Sequence, residues 1–197
     1  MSAGTSSEAA FVAWREALLY LTRSEPAARD WRYARYAFRH RLGKEIAGLA
    51  TGPAVYGVWL EWGLVYLGQT LDAKRRLFDL PIGDSHHLAN TFPPEIWHRV
   101  VVTTWPELPA AGEVGGLSPQ EVGLGLEYGL QRRLGPIFNA ERRTPDGGWR
   151  ANTLERSNSR GARVHLLVGP LLDEVERLWK VAGSAVPGDA RPSRAAA

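Results

Sequence analysis

Four side chains of this sequence have the chemistry that hydrolysis of a phosphodiester bond requires. They are two phenols, a guanidinium and a carboxylate, on Tyr56, Tyr66, Arg76 and Glu127. The planar guanidinium of Arg76 can donate paired hydrogen bonds to a scissile phosphate, and it keeps its charge at working pH. The carboxylate of Glu127 can bind a divalent cation, Mg2+ (or Mn2+), whose other ligands are water and phosphate oxygens. A phenol titrates near about 10 and is a poor base at neutral pH, but a neighbouring cation favours the phenolate.

The two tyrosines are predicted to lie on a β-hairpin. The strands are expected at residues 54–60 and 64–68, which are rich in Val, Leu, Tyr and Trp, the residue types that favour strands. Gly63 between them permits the backbone angle of a tight turn. An aromatic pair that only stabilises the hairpin is the alternative explanation for Tyr56 and Tyr66.

The elements that follow carry the guanidinium and the carboxylate. Residues 71–80 are predicted to be a helix with Arg76 on it, and residues 96–105, rich in valine, a third strand. A Ser-Pro-Gln-Glu sequence combines a cap, a first-turn proline and a reciprocal acid, and predicts a helix over 118–135. Glu127 lies within that helix. A solvated helix face for Arg76 and an ion pair for Glu127 are the alternatives.

The order of these residues resembles the GIY-YIG nuclease family, in which a hairpin carries two tyrosine motifs. In that family, one helix then carries an arginine, and a later helix carries a glutamate followed by Pro-x-x-Asn. The segment from 126 to 139 particularly resembles bacterial excision-repair nucleases. The matching positions, between Gly52 and Asn139, are Tyr56, Tyr66 with Gly68, Arg76, Glu127, and Pro136 with Asn139.

This resemblance implies a fold, an activity and a role for each residue. The fold would be α+β, a small and mostly antiparallel three-stranded sheet flanked by helices. The activity would be divalent-metal-dependent cleavage of DNA, with Glu127 as the metal ligand and Mg2+ (or Mn2+) as the cofactor. Tyr56 would be the general base, Tyr66 would orient the water or the other phenol, and Asn139 would fix the loop near Glu127.

Two positions depart from the family pattern. Ala54 replaces the glycine of the first motif, and Leu80 occupies a position where many members carry histidine. Alanine suits a strand at least as well as glycine, so the first change is mild. The nearest substitutes for the histidine are His86 and His87 in the following loop, and His86 is taken as the candidate. An exposed polar pair is the alternative for these two residues.

The chain divides into four parts. Helices are expected at 7–23 and 27–47, and a last helix at 170–182, from the spacing of apolar residues. The final residues are mainly Ala, Gly, Pro, Ser and Arg and cannot bury enough apolar area to order. The expected parts are a helical N-terminal extension (1–50), a catalytic domain (51–140), a basic loop with a C-terminal helix (141–182) and a disordered tail (183–197).

Basic residues outside the proposed site suggest DNA, in double-stranded form, as the partner. Net charge is +3 and the sequence pI is 9.4, with arginine as the main base, although a GC-rich genome would also favour arginine. The aromatic residues between the arginines of the second helix (Trp31, Tyr33, Tyr36, Phe38) could stack on bases, but packing inward is favoured. The expected DNA contacts are Arg32, Arg35, Arg39, Lys74, Arg75, Arg142 and Arg143.

Composition also excludes several classes of site. The chain has no cysteine, so disulfides, cysteine zinc sites and thiol nucleophiles are excluded, and its five histidines form no His-Glu-x-x-His motif. The sequence has no apolar run long enough for a membrane helix, and its N-terminus does not have the pattern of a signal peptide. We therefore expect a cytoplasmic protein. The alternative to an enzyme is a nucleic-acid-binding module that does not cut. For an enzyme, the sequence leaves open a restriction endonuclease, a mobile-element nuclease or a repair nuclease, and restriction or accessory DNA processing is favoured. A restriction role would favour a homodimer.

Overall fold

A small β-sheet lies at the centre of the fold, with helices on both faces. The computed structural model of the protein describes residues 9, 11–16, 25–83, 88–140, 159–184 and 193–194. Residues 11–16 are helical, within the range predicted for the first helix. The other helices and strands are α1 (Glu25–Ala47), β1 (Ala54–Leu60), β2 (Gly63–Thr70), α2 (Ala73–Ile82), α3 (Leu88–Thr91), β3 (Arg99–Thr103), α4 (Pro119–Leu134), α5 (Ile137–Ala140), α6 (Arg160–Val164), α7 (Gly169–Ser184) and β4 (Ser193–Arg194).

The sheet has the strand order β2-β1-β3-β4, so β2 is an edge strand. β1 is antiparallel to β2 and β3, with Tyr56 opposite Gly68 on one side and opposite Val102 on the other. The predicted α+β class and three-stranded antiparallel sheet are confirmed. β4 adds a parallel pairing of Ser193 and Arg194 with β3. The sequence did not predict this pairing, and α7 also continues into the tail that was expected to be disordered.

Side-chain alternation along the strands produces two hydrophobic cores, one on each face of the sheet. Tyr56 and Val58 of β1 point to the first face, where Leu77 of α2 covers them. Val55 of β1 points to the second face, which α4 and α7 cover, with Trp179 of α7 fully buried there. A residue on the first face therefore meets α2, and a residue on the second face meets α4.

Helices α1 and α2 pack closely on each other. α1 begins at Glu25 and ends at Ala47, close to the predicted range. Gly43 of α1 lies against the backbone of α2, and a Cβ at that position would stand 2.5 Å from the carbonyl oxygen of Phe78. Glycine is therefore needed where the helices touch, and α1 is fixed against the helix that carries Arg76. Within the described residues, no helix is long and apolar enough to cross a membrane.

α4 begins and ends as its sequence predicts. The Ser118 side chain accepts a hydrogen bond from the backbone N–H of Glu121, and the Glu121 side chain accepts one from the Ser118 N–H. These hydrogen bonds from Ser118, with a further contribution from Arg160, lower the pKa of Glu121 to about 2. The helix ends at Gly135, whose φ of 57° lies in the left-handed region that favours glycine.

The third strand is shorter than predicted because prolines flank it. β3 has five residues, Arg99–Thr103, whereas the sequence predicts a strand over 96–105. Pro94–Ile96 and Trp105–Glu107 form 3-10 turns instead. Proline has no backbone N–H to donate to a neighbouring strand, so residues beside Pro94 and Pro106 leave the sheet.

Ser118→Ala is expected to lower the free energy of unfolding by about 1 kcal/mol, because it removes the acceptor for the first turn of α4. Chemical denaturation measures this change. Ser118→Thr keeps a hydroxyl at the same place and is expected to stay close to the wild type. Equal stability of the alanine variant and the wild type would show that the cap is unimportant.

Candidate active site

Tyr56 and Arg76 form the centre of the candidate site. The Nε of Arg76 donates a hydrogen bond to the Tyr56 hydroxyl oxygen over 3.0 Å. Tyr56 is fully buried on β1, while Arg76 is half-buried on α2. The Asp72 side chain caps the first turn of α2 by accepting from the Arg75 N–H, which fixes where this helix begins. Strand and helix thus position the phenol and the guanidinium against each other.

Tyr66 lies beside Tyr56 on the same face of the hairpin. Their ring centroids are 6.1 Å apart, and the rings are tilted by 42°. The strand register places Tyr66 opposite Val58 and not directly opposite Tyr56, so the two tyrosines are diagonal neighbours. The interaction with Tyr56 adds to the rise of the Tyr66 pKa.

Gly68 provides the space that the Tyr56 phenol occupies. A Cβ on Gly68 would lie 2.7 Å from the Tyr56 hydroxyl oxygen and 3.1 Å from the ring of Tyr66. Such short contacts are not found for real Cβ atoms, so any larger residue would displace the phenol. The glycine of the second tyrosine motif therefore has a steric reason in this chain.

Glu127 lies on α4, beside the edge strand β2. Its carboxylate accepts a hydrogen bond from Gln131 Nε2 over 3.4 Å, one helical turn later. The same helix passes close to β2 at Gly123, where an added Cβ would meet the side chain of Gln69. The negative charge of Glu127 raises the pKa of both hairpin tyrosines, so the carboxylate acts electrostatically on both phenols. Glu127 thus joins the other three residues.

Asn139 joins the segment after α4 to the outer edge of β2. Its Oδ1 accepts from the Leu67 N–H over 2.6 Å, and its Nδ2 donates to the Leu67 carbonyl over 2.7 Å. These two hydrogen bonds are like those that a neighbouring strand would form with β2. The neighbouring Phe138 packs on Tyr66, with ring centroids 6.2 Å apart. Asn139 therefore fixes the chain next to the tyrosines, and the expected role of this residue in the loop near Glu127 stays a prediction.

Burial determines the protonation of the two phenols. Desolvation raises the pKa of Tyr56 above its usual value of 10.0, and the nearby Arg76 charge opposes this only in part. Desolvation also raises the pKa of Tyr66, and Tyr56 and Glu127 add to the rise. A neighbouring cation was expected to lower the pKa of the phenol, but Arg76 alone does not bring the Tyr56 pKa below its usual value. Both phenols are protonated at neutral pH.

The site also has the donor chemistry for one hard divalent cation. The Glu127 carboxylate is half-exposed and supplies the oxygen that Mg2+ prefers. In the described part of the chain, no group of three or more His, Asp or Glu side chains forms a ready-made metal site. The residues present therefore fit an ion held by one protein carboxylate, with substrate phosphate and water as its other ligands.

Two of the arginines predicted to contact DNA have a different role. Arg39 is only 8% exposed and donates to Glu95 and to the Ala89 carbonyl. Arg35 also pairs with Glu95, over 2.9 Å. The prediction is wrong for Arg39, because this side of α1 faces the loop before β3. A single carboxylate far away in the sequence forms ion pairs with both arginines.

The other predicted DNA contacts differ in accessibility. Arg32 and Lys74 are exposed. Arg75 is exposed as well, and its guanidinium forms ion pairs with the carboxylates of Asp72 and Asp79, over 3.8 and 3.6 Å. The candidates His86, His87, Arg142 and Arg143 lie outside the described residues.

Two residues that contact the site were not predicted from the sequence. Gln131 holds the Glu127 carboxylate, and their i,i+4 spacing on a helix is a signal that could have identified the pair. Phe138 packs on Tyr66, and also edge-on against Phe92. That contact joins segments distant in the sequence, and no local pattern indicates it.

Gly68→Ala is expected to lower the free energy of unfolding by about 1 to 3 kcal/mol, because the new methyl group displaces the buried Tyr56 phenol. Gly112→Ala is the matched control, since an added Cβ there meets no atom within 4 Å. Urea denaturation of both variants checks the difference. If the two substitutions had the same effect, the close fit of Tyr56 over Gly68 would be refuted.

Tyr56→Phe combined with Tyr66→Phe is expected to reduce the loss of stability above pH 10.0, the ordinary pKa of the phenol. The raised pKa means that the folded protein keeps protons that the unfolded chain releases, so this stability is complete below pH 10.0 and is lost as pH rises. One pH unit above the ordinary pKa of the phenol, the free energy of unfolding has fallen by about 1.4 kcal/mol for each phenol. Unfolding free energies across this range measure it. The exposed Tyr33→Phe should behave as the wild type, and parallel curves for all three proteins would contradict the prediction.

Comparison with known proteins gives no family assignment, because no protein-family model, no curated protein and no solved structure matches this chain.

Proposed function

We propose that this chain is a divalent-metal-dependent DNA endonuclease that hydrolyses phosphodiester bonds. The observation that carries the proposal is the convergence of Arg76, two phenols and Glu127, which come from α2, the hairpin and α4. A guanidinium and a carboxylate that both act on the same pair of phenols could serve the same phosphodiester, because a guanidinium binds phosphate oxygens while a carboxylate binds a cation. The resemblance of the motif order to the GIY-YIG nucleases supports the same conclusion.

Glu127 would hold the Mg2+ (or Mn2+) ion in this proposal. When bound, the ion supplies positive charge that stabilises the phosphate oxygens and lowers the pKa of bound water. The hydrogen bond from Gln131 restrains one carboxylate oxygen of Glu127 and sets its orientation. A single protein ligand predicts weak metal affinity in the absence of DNA.

Arg76 would hold the scissile phosphate, and Tyr56 would hold Arg76. The hydrogen bond to the phenol uses Nε and fixes the plane of the guanidinium, which matters because bidentate recognition of phosphate depends on that plane. As a general base, Tyr56 must release its own proton first, and burial opposes this. Base catalysis by Tyr56 therefore requires its pKa to fall when substrate and cation assemble beside it. Tyr66 would orient the phenol, and Asn139 would hold the adjoining segment.

The buried phenols also favour a second candidate, a DNA-binding module with this fold that does not cut. Tyr56 has no exposed surface, and its pKa is raised. A phenol in this state stabilises the hairpin and Arg76 without taking a proton from water. Binding without cleavage distinguishes this candidate from the enzyme.

The substrate and setting are part of the proposal. Double-stranded DNA, cut by a homodimer in restriction or by a single copy in accessory DNA processing, is the expected substrate, and the cytoplasm is the expected location. The exposed Lys74 and Arg32 would supply phosphate contacts, so affinity should fall as salt rises.

Incubation of plasmid and phage DNA with the protein and Mg2+ tests the proposal, and sequencing of the ends reports where strands are cut. Glu127→Gln keeps the shape of the side chain and removes its charge, and Arg76→Lys removes the planar fork but keeps the charge. Each is expected to reduce cleavage by at least about a hundredfold.

The matched controls are Glu113→Gln, at an exposed carboxylate, and Arg177→Lys, at an exposed arginine of α7. Both should cleave as the wild type does. Cleavage that survives EDTA, or that Glu127→Gln leaves intact, would refute the metal-dependent mechanism. Tight binding of intact DNA would favour the second candidate.

A further inference from the structure

One side of α1 carries aromatic and basic residues in a single row, and all of them except His40 are exposed. We call it the α1 stripe, and it consists of Arg29, Tyr33, Tyr36, His40 and Lys44. Successive members are three or four residues apart, which places them on one side of a helix. The row contains the basic residues Arg29 and Lys44 and no acidic residue.

Its two tyrosines are exposed, against the prediction that the aromatic residues of this helix pack inward. Tyr33 is 71% exposed and Tyr36 is 59% exposed. The prediction holds better for Trp31 and Phe38, which are partly buried and lie beneath the guanidinium groups of Arg35 and Arg41. Exposure of two large aromatic side chains within one helical turn requires an explanation beyond core packing.

Tyr36 is also braced from one side. Its ring lies 5.5 Å from the ring of His40, and that ring meets Phe78 of α2 edge-on at 4.9 Å. The chain of contacts fixes the orientation of Tyr36 and leaves its outer face open to solvent. A rigid, open aromatic face is suited to stacking on a flat ligand.

The charge around the stripe is complementary to a polyanion. The exposed bases are Arg29 and Lys44 within the row and Arg32 and Arg41 beside it. Within the described residues, no ion pair involves any of these four, whereas Arg35 is paired with Glu95. Their charge is therefore available to phosphate groups.

We propose that the α1 stripe binds single-stranded DNA, with Tyr33 and Tyr36 stacked on unpaired bases and the basic side chains on the phosphates. Base faces are inaccessible within a duplex, so exposed stacking aromatics select unpaired nucleotides. Tyr33 and Tyr36 are separated by about 4.5 Å along the helix axis, so neighbouring nucleotides of one strand can reach both. From Arg29 to Lys44 the stripe extends about 22 Å, enough for several nucleotides.

The stripe and the candidate active site lie on opposite sides of α2. His40 contacts Phe78 on one side of that helix, and Arg76 projects from another side toward Tyr56. A helix with its side chains is roughly 10 Å across, a width that a strand of several nucleotides can span. The inference deepens the proposed function by naming unpaired DNA near the cut, and it rests on that function for this purpose. Binding itself does not require cleavage.

Fluorescence anisotropy with a labelled thymidine 15-mer, in EDTA and with the Glu127→Gln protein, tests binding apart from catalysis. Tyr33→Ala with Tyr36→Ala is expected to weaken binding at least tenfold, because stacking on each base is lost. Tyr33→Phe with Tyr36→Phe keeps the aromatic faces and should bind within about threefold of the parent. Trp62→Ala, at an exposed aromatic on the hairpin turn, is the matched control and should have no effect.

A second arm tests the charges. Arg29→Ala with Lys44→Ala should reduce the slope of log affinity against log salt by about 1.4, or about 0.7 for each lost phosphate contact. The proposal is overturned if the double alanine variant of the tyrosines binds the single strand normally, or if this variant loses affinity for duplex DNA by the same factor as for the single strand. It is also overturned if sedimentation shows a dimer of this chain that the same variant dissociates.

These outcomes separate the inference from the nuclease proposal. If the wild type binds the 15-mer through the tyrosines but cuts no DNA in Mg2+, the stripe stands and the nuclease proposal fails. If the wild type cuts DNA and the double alanine variant binds and cuts equally well, the stripe fails and the nuclease proposal stands.

Discussion

The hydrogen bond between Arg76 and Tyr56 is the interaction on which the rest of the site depends. A fully buried hydroxyl needs a partner, and a half-buried guanidinium needs an acceptor, so each group stabilises the other. The bond requires α2 to lie over β1 and requires Gly68 to leave room for the phenol. Glu127, from α4, then adds a negative charge that acts on the same phenols. The position of each side chain is thus fixed by elements that are separate in the sequence.

Local patterns predicted those elements well, because their signals act over a few neighbouring residues. The capping box at Ser118 and the left-handed Gly135 set the ends of α4, and both are evident from the sequence. Prediction was poorer where distant segments decide the structure. Ser193 and Arg194 pair with β3, and composition gives no signal of that contact. The order of the motifs identified Asn139, but its hydrogen bonds to Leu67, which join residues 72 positions apart, required the fold.

α1 has two sides with different surroundings, and the sequence did not predict either of them fully. Arg35 and Arg39 face the loop before β3 and share Glu95, which lies 60 and 56 residues away. The spacing of the arginines indicated a common face but not which neighbours it meets. On the outer side, Tyr33 and Tyr36 face solvent, although aromatics at helical spacing usually pack into a core. The number of aromatic residues on a helix therefore does not reveal how many of them the core can cover.

The two hydrogen bonds from Asn139 also change how the sheet meets other molecules. An edge strand presents unsatisfied N–H and C=O groups, to which a strand of another chain can add. At Leu67, in the middle of β2, Asn139 occupies both groups, and Phe138 lies beside it. A foreign strand would have to displace this side chain before it could continue the ladder. The residue that holds the loop beside the tyrosines thus also protects the sheet against edge-to-edge aggregation.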